Sequence, residues 1–174
     1  MFDHKIIITG AVGVGKSTAI RTYSTSAVVD TDVRATDETS QIKKDTTVAM
    51  DYGTITLDAE TKVHLYGTPG QKRFDFMWDI LSRGSMGLAI LINAKAPKPL
   101  DDLRFYLDAF KGLIVDHDLS VVVGINQVNK DQPEPSRAEF KAVAEEFRLG
   151  IPVLMIDARE EKDVRRMVMT LLFS

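Results

Sequence analysis

The stretch Gly10-Ala11-Val12-Gly13-Val14-Gly15-Lys16-Ser17 constrains this chain more than any other. It follows directly on an apolar run, Lys5–Thr9, and opens a stretch compatible with a helix. A glycine-rich turn between a strand and a helix is the context a phosphate-cradling loop requires. The glycines let backbone N–H groups from Gly13 to Thr18 turn toward phosphate oxygens, and the helix start adds a favourable dipole. In that frame Lys16 reaches the β- and γ-phosphates and the Ser17 hydroxyl takes Mg²⁺. The loop by itself leaves kinase, ATPase and GTPase open.

The rest of the chain alternates strand and helix patterns. Lys5–Thr9, Leu88–Asn93, Val121–Asn126 and Val153–Ile156 are short continuous apolar runs, the mark of strands covered on both faces. Pro99–Val115 carries apolar residues near a period of 3.6, and Glu160–Phe173 is a last amphipathic helix. Ser136–Leu149 opens on a Ser with a Glu three residues later, a capping box. One region breaks the alternation. Thr46–Leu57 and Thr61–Tyr66 both read as strands around Asp58-Ala59-Glu60, a hairpin that puts one antiparallel edge strand on a parallel sheet. Before it, Ser24–Asp45 is polar and weakly periodic and reads as a long functional or disordered loop. The expected fold class is α/β: a mostly parallel six-stranded sheet with one antiparallel edge strand and helices on both faces. A length of 174 residues suits a single domain over 1–174.

Composition removes several alternatives. A net charge of −3 gives no basis for bulk attraction to nucleic acid. The absence of cysteine excludes disulfides, thiolate catalysis and zinc-thiolate sites, and goes with a cytoplasmic setting. No apolar run spans a bilayer. The N-terminal residues read as no signal peptide, and neither end offers lipidation chemistry, so no membrane anchor is expected. His4, His64 and His117 lack metal-ligand spacing. Asp101-Asp102 reads as a helix start, Arg165-Arg166 as a solvated face. Phe74, Phe76, Met77 and Trp78 form an apolar cluster with two readings: core packing, or a patch that a partner recognises.

Two further strings choose among the phosphate-loop classes. Thr47-Val-Ala-Met-Asp51-Tyr52 and Leu65-Tyr66-Gly67-Thr68-Pro69-Gly70-Gln71-Lys72-Arg73-Phe74 resemble the two switch regions of Ras-like small GTPases. The likeness is greatest to bacterial members, the MglA-type GTPases and those encoded in actinobacterial conservons, and covers nearly the whole chain. It implies a small P-loop NTPase domain of the Ras-like kind, working as a molecular switch on GTP and GDP with slow Mg²⁺-dependent hydrolysis. By the same resemblance Thr47 contacts Mg²⁺ beside Ser17 and senses the γ-phosphate. Gln71 orients the attacking water, with Lys16 as the other catalytic group, and the Gly70 N–H bonds the γ-phosphate. Asn126-Gln127-Val128-Asn129 stands where the family reads its base. Asn126 braces base and phosphate loop. Asp157-Ala158-Arg159 matches the next motif: the Ala158 N–H donates to guanine O6 and Arg159 covers the base. MglA-like proteins work with a Roadblock/LC7-type regulator, which makes such a protein the expected partner.

Two departures stand out. The Ras-type carboxylate before Thr-x-Gly is Gly67 here, a glycine shared with the bacterial subgroup, and Asp30 or Asp32 in the long loop is the sequence's candidate to replace it. Asn129 takes the place of the guanine-reading Asp, and Gln127 that of a Lys along the base. An Asp carboxylate accepts from both guanine N1–H and N2–H₂; an Asn amide accepts one and turns a donor toward the other. These departures keep two rivals alive: a scaffold that has lost hydrolysis or guanine selectivity, and a P-loop ATPase or kinase.

Overall fold

Strands form where the sequence runs continuously apolar, and helices where it turns amphipathic. The computed structural model describes residues 1–26, 29–34, 47–70, 75–128, 131 and 135–174, with side chains described except over 29–34 and 47–49. In chain order the strands are β1 (Phe2–Thr9), β2 (Val29–Arg34), β3 (Thr47–Thr56), β4 (Thr61–Gly67), β5 (Gly87–Asn93), β6 (Ser120–Asn126) and β7 (Val153–Met155). The helices are α1 (Lys16–Tyr23), α2 (Phe76–Ser82), α3 (Pro99–Asp116), α4 (Arg137–Glu146) and α5 (Glu161–Leu172). The described strands make one sheet in the order β2-β3-β4-β1-β5-β6-β7.

β4, β1, β5, β6 and β7 run parallel, and β3 runs antiparallel to β4. That is the expected sheet, with one addition. β2 pairs antiparallel outside β3, so the antiparallel strand lies next to the edge rather than on it. β2 comes from the stretch read as loop. Val29-Asp-Thr-Asp-Val-Arg does alternate with the period of a strand, but two valines among acids are a faint signal that pairing with β3 makes good.

Each face of the sheet buries its own core. On one side α1 and α5 cover Ile6, Ile8, Leu65, Leu91 and Val122. On the other α2, α3 and α4 cover Ile7, Leu88, Ile90, Val123 and Ile125. Because successive strand residues point to opposite faces, Ile6-Ile7-Ile8 serves both cores, which is why β1 reads as unbroken apolar sequence. Trp78 settles on the core reading: it is buried, stacked on Phe110 at 4.7 Å and tilted against Tyr106. The predicted capping box on α4 forms, with Ser136 Oγ accepting from the Glu139 N–H and Glu139 from the Ser136 N–H. The C-terminal ends of the parallel strands gather along one edge, where open α/β sheets hold their ligands.

Candidate functional site

The loop after β1 is built on glycines at two points. Gly15 has φ +114°, and a Cβ there would stand 2.5 Å from Asn126 Nδ2. Gly10 has φ +148°, and a Cβ would stand 2.5 Å from the Leu91 carbonyl. No other residue type fits either position. Gly15 then leads into α1 without a side-chain cap, and among the described helices only α1 has no acid in its first turn. Its N-terminal N–H groups and dipole are left for an external anion.

Lys16 folds over this loop. Its ammonium donates to the Gly10 carbonyl at 2.6 Å and the Ala11 carbonyl at 2.8 Å, and the residue is 7% exposed. Burial pushes its pKa down to about 8, although the charge of Asp51 works to raise it. Ser17 Oγ donates to Asp51 Oδ2. A hydroxyl and a carboxylate at the mouth of the loop are the oxygen donors that a hard cation such as Mg²⁺ takes, so these residues fit that ion. The β4 end packs against the same loop: the Thr68 N–H donates to the Ile8 carbonyl, and Thr68 and Thr9 share a hydroxyl hydrogen bond of 2.8 Å. A Cβ on Gly70 would stand 2.7 Å from the Val12 nitrogen, so this glycine is required by close approach.

On the other side of Gly15 opens a cleft of about 650 Å³. Gly13, Gly15 and Thr18 form one wall, Asn126 to Val128 a second, and Met155 to Arg159 a third. Asn126 joins the three. Its Nδ2 donates to the Val14 carbonyl at 2.9 Å and its Oδ1 accepts from the Ala158 N–H at 3.0 Å. Gln127, left-handed at φ 60°, sends Nε2 to the Gly13 carbonyl at 3.2 Å and so ties the second wall to the phosphate loop again. The buried Ala158 N–H expected to meet the base thus already has a partner inside the protein, and a base carbonyl must take that bond over from Asn126. Arg159 lines the cleft, its guanidinium held on Asp157 through Nε at 2.9 Å and Nη2 at 2.8 Å. With the Arg159 side chain 80% exposed, the pair adds little stability, but it sets that side chain's direction.

Of the predicted residues, the structure gathers Gly10, Gly13, Val14, Gly15, Lys16, Ser17, Thr18, Gly70, Asn126, Gln127, Asp157, Ala158 and Arg159 along one edge of the sheet. Gln71 and Asn129 lie outside the described residues, as do the side chains of Thr47, Asp30 and Asp32. Three residues went unassigned. Lys95 lines the cleft just past β5, where a strand-end lysine was the available signal. Asp163, in the first turn of α5, accepts from the Asp157 N–H at 2.8 Å and orders the third wall. Asp51 was quoted in a motif and given no role.

A family model described as "Conserved hypothetical ATP binding protein" matches residues 8–171. The chain belongs to this family. It also resembles individual proteins. An uncharacterized protein of Methanocaldococcus jannaschii is 31% identical over 91 residues, 52% of this chain and 51% of that one. GTP-binding protein ypt2 of Schizosaccharomyces pombe is 25% identical over 170 residues, 96% of this chain and 78% of that one. Ras-related protein Rab-18 of Lymnaea stagnalis is 25% identical over 138 residues, 78% of this chain and 62% of that one. The chain thus spans about half the length of the archaeal relative. This family member is a nucleotide-binding protein with a G-domain-like fold. Among the described residues no helix is long and apolar enough to cross a membrane.

Proposed function

We propose that this chain is a guanine-nucleotide switch of the bacterial, MglA-like kind, which hydrolyses GTP slowly with Mg²⁺ and works in the cytoplasm. The observation that carries the reading is Asn126, whose one amide joins the phosphate loop at Val14 to the third wall at Ala158. That joint fixes a base pocket against a phosphate cradle.

In this reading the loop N–H groups and Lys16 hold the β- and γ-phosphates, and Lys16 gives up its two carbonyl partners for them. Ser17 and Thr47 hold Mg²⁺, which supplies charge neutralisation at the phosphates. Gln71 positions water, and the Gly70 N–H bonds the γ-phosphate. Thr47 and the segment 67–74 hold these contacts only while the γ-phosphate is present, which is the differential binding a switch needs. A Roadblock/LC7-type regulator is the partner that goes with this subgroup. The second reading, an ATP-binding protein, is favoured by the family's description and by Asn129 in place of an acid.

The test has two parts. The nucleotide released from freshly purified protein is identified, and hydrogen exchange over residues 30–46 is compared with GDP and with a non-hydrolysable GTP analogue. The proposal expects GDP or GTP in the extract and stronger protection with the analogue. Adenine nucleotide alone in the extract, or identical protection in both states, contradicts it.

A further inference from the structure

Position 67 poses a question the fold answers. Gly67 ends β4, opposite Asp51 of β3 and beside Ile8 of β1, one residue before Thr9. Its backbone is ordinary strand, and it is not among the glycines with positive φ. Conformation therefore does not require a glycine, and inside a strand a glycine weakens the element. Space is close there instead. A Cβ at 67 would stand 3.3 Å from Asp51 Cβ, 3.6 Å from Asp51 Oδ2 and 3.2 Å from Ile20 Cδ1.

The same carboxylate is the acceptor for Ser17 Oγ, and its charge acts on Lys16. Directly opposed residues of an antiparallel pair share a face, so a side chain at 67 would crowd Asp51, and a glycine leaves the acid that room. We propose that Asp51 supplies, from the neighbouring strand, the cation-facing carboxylate that Ras-like sequences carry at position 67, and that Gly67 exists to admit it. An ionised carboxylate can only accept, so the Ser17 hydroxyl hydrogen is committed to Asp51 and the oxygen lone pairs are left for the cation. The acids of β2 named from the sequence are not needed for this task.

The inference rests on the Mg²⁺-nucleotide reading, and its test separates the two. Binding of Mn²⁺ to the protein–GDP complex is measured by electron paramagnetic resonance. Release of fluorescent GDP is followed with Mg²⁺ and with EDTA. In the wild type, EDTA speeds release; if it does not, the Mg²⁺-nucleotide reading itself falls, and this inference with it. Asp51→Asn, near-isosteric, loses about 10–100-fold in Mn²⁺ affinity, the usual loss when a ligand or its supporting partner goes. In EDTA the same variant binds GDP more tightly than wild type, because a negative charge facing the phosphates has been removed. A purely structural acid would instead weaken binding in both conditions.

The decisive variant moves the carboxylate. Asp51→Gly with Gly67→Asp restores Mn²⁺ affinity to near wild type, while Asp51→Gly alone does not. Unchanged Mn²⁺ affinity in Asp51→Asn, or a double variant no better than Asp51→Gly, overturns the proposal.

Discussion

The two ends of this site are built on different principles. At the phosphate end the backbone does the recognising: glycines in conformations no other residue adopts, an uncapped helix start and one buried lysine. These features suit any nucleoside triphosphate. At the proposed base end side chains hold the walls in place: Asn126 bonds the backbone of Val14 and Ala158, Gln127 that of Gly13, and Arg159 the carboxylate of Asp157. In the proposed function the phosphate end fixes the class of ligand and the base end its identity. The comparisons divide at that point, with a family described as ATP binding and relatives named as GTP-binding or Ras-related. ATP and GTP carry the same phosphates and differ only at the base.

The comparison breaks most visibly at Lys16. Lys16→Ala removes the one side-chain cation assigned to the phosphates, a loss of about 3–5 kcal/mol, or roughly two to four orders of magnitude in affinity. The loss is equal for GTP and ATP, because none of it involves the base, and smaller for GDP, which lacks the γ-phosphate. Titration of the three against the variant checks this. Gln71→Leu acts on the phosphate end in another way. It slows single-turnover hydrolysis by about 100-fold and leaves affinity nearly intact, since water positioning adds little ground-state binding.

Asn129→Asp acts at the base end alone. The new carboxylate accepts two hydrogen bonds from guanine where the amide accepts one, worth about 1–3 kcal/mol or roughly tenfold to a hundredfold for GTP. ATP gains nothing. Competition titrations with GTP, XTP and ATP measure the difference, and an unchanged GTP affinity removes Asn129 from the base.

A further effect is in pH. Lys16 titrates at about 8 in the folded chain against 10.5 as its ordinary value. A lysine with a lowered folded pKa costs stability below the folded value, and that cost disappears as pH rises through the window from 8 to 10.5, by an amount of order 3 kcal/mol. Nucleotide phosphates favour the charged form, so binding takes up a proton in that window. Affinity is flat below pH 8 and falls by up to about tenfold per unit above it. Calorimetry in two buffers of different ionisation enthalpy reads the proton directly.

How much could be read in advance follows the same division. The phosphate loop was legible because its demands are local: turn glycines, a lysine and a serine at fixed spacing between a strand and a helix. β1, β5 and β6 were legible because burial on both faces leaves an unbroken apolar run. The parts missed are those that depend on pairing. β2 gains its strand state from β3, and Asp51 gains its importance from a glycine 16 residues later on the adjacent strand. The sequence reported the missing acid at 67 plainly, yet only the antiparallel register of β3 and β4 brings its replacement into view. The partner of the Ala158 N–H was equally out of reach, since it depends on two loops 32 residues apart meeting.

The claim that guanine nucleotide occupies this site is tested most directly by competition of GTP, GDP and ATP for fluorescent GDP on the wild-type chain with Mg²⁺ present. GTP and GDP should displace the probe at similar concentrations. ATP should need at least about tenfold more, because its N6 amino group meets the Ala158 donor where guanine offers a carbonyl. ATP competing as well as GTP, or better, would contradict the account and assign the base end to adenine.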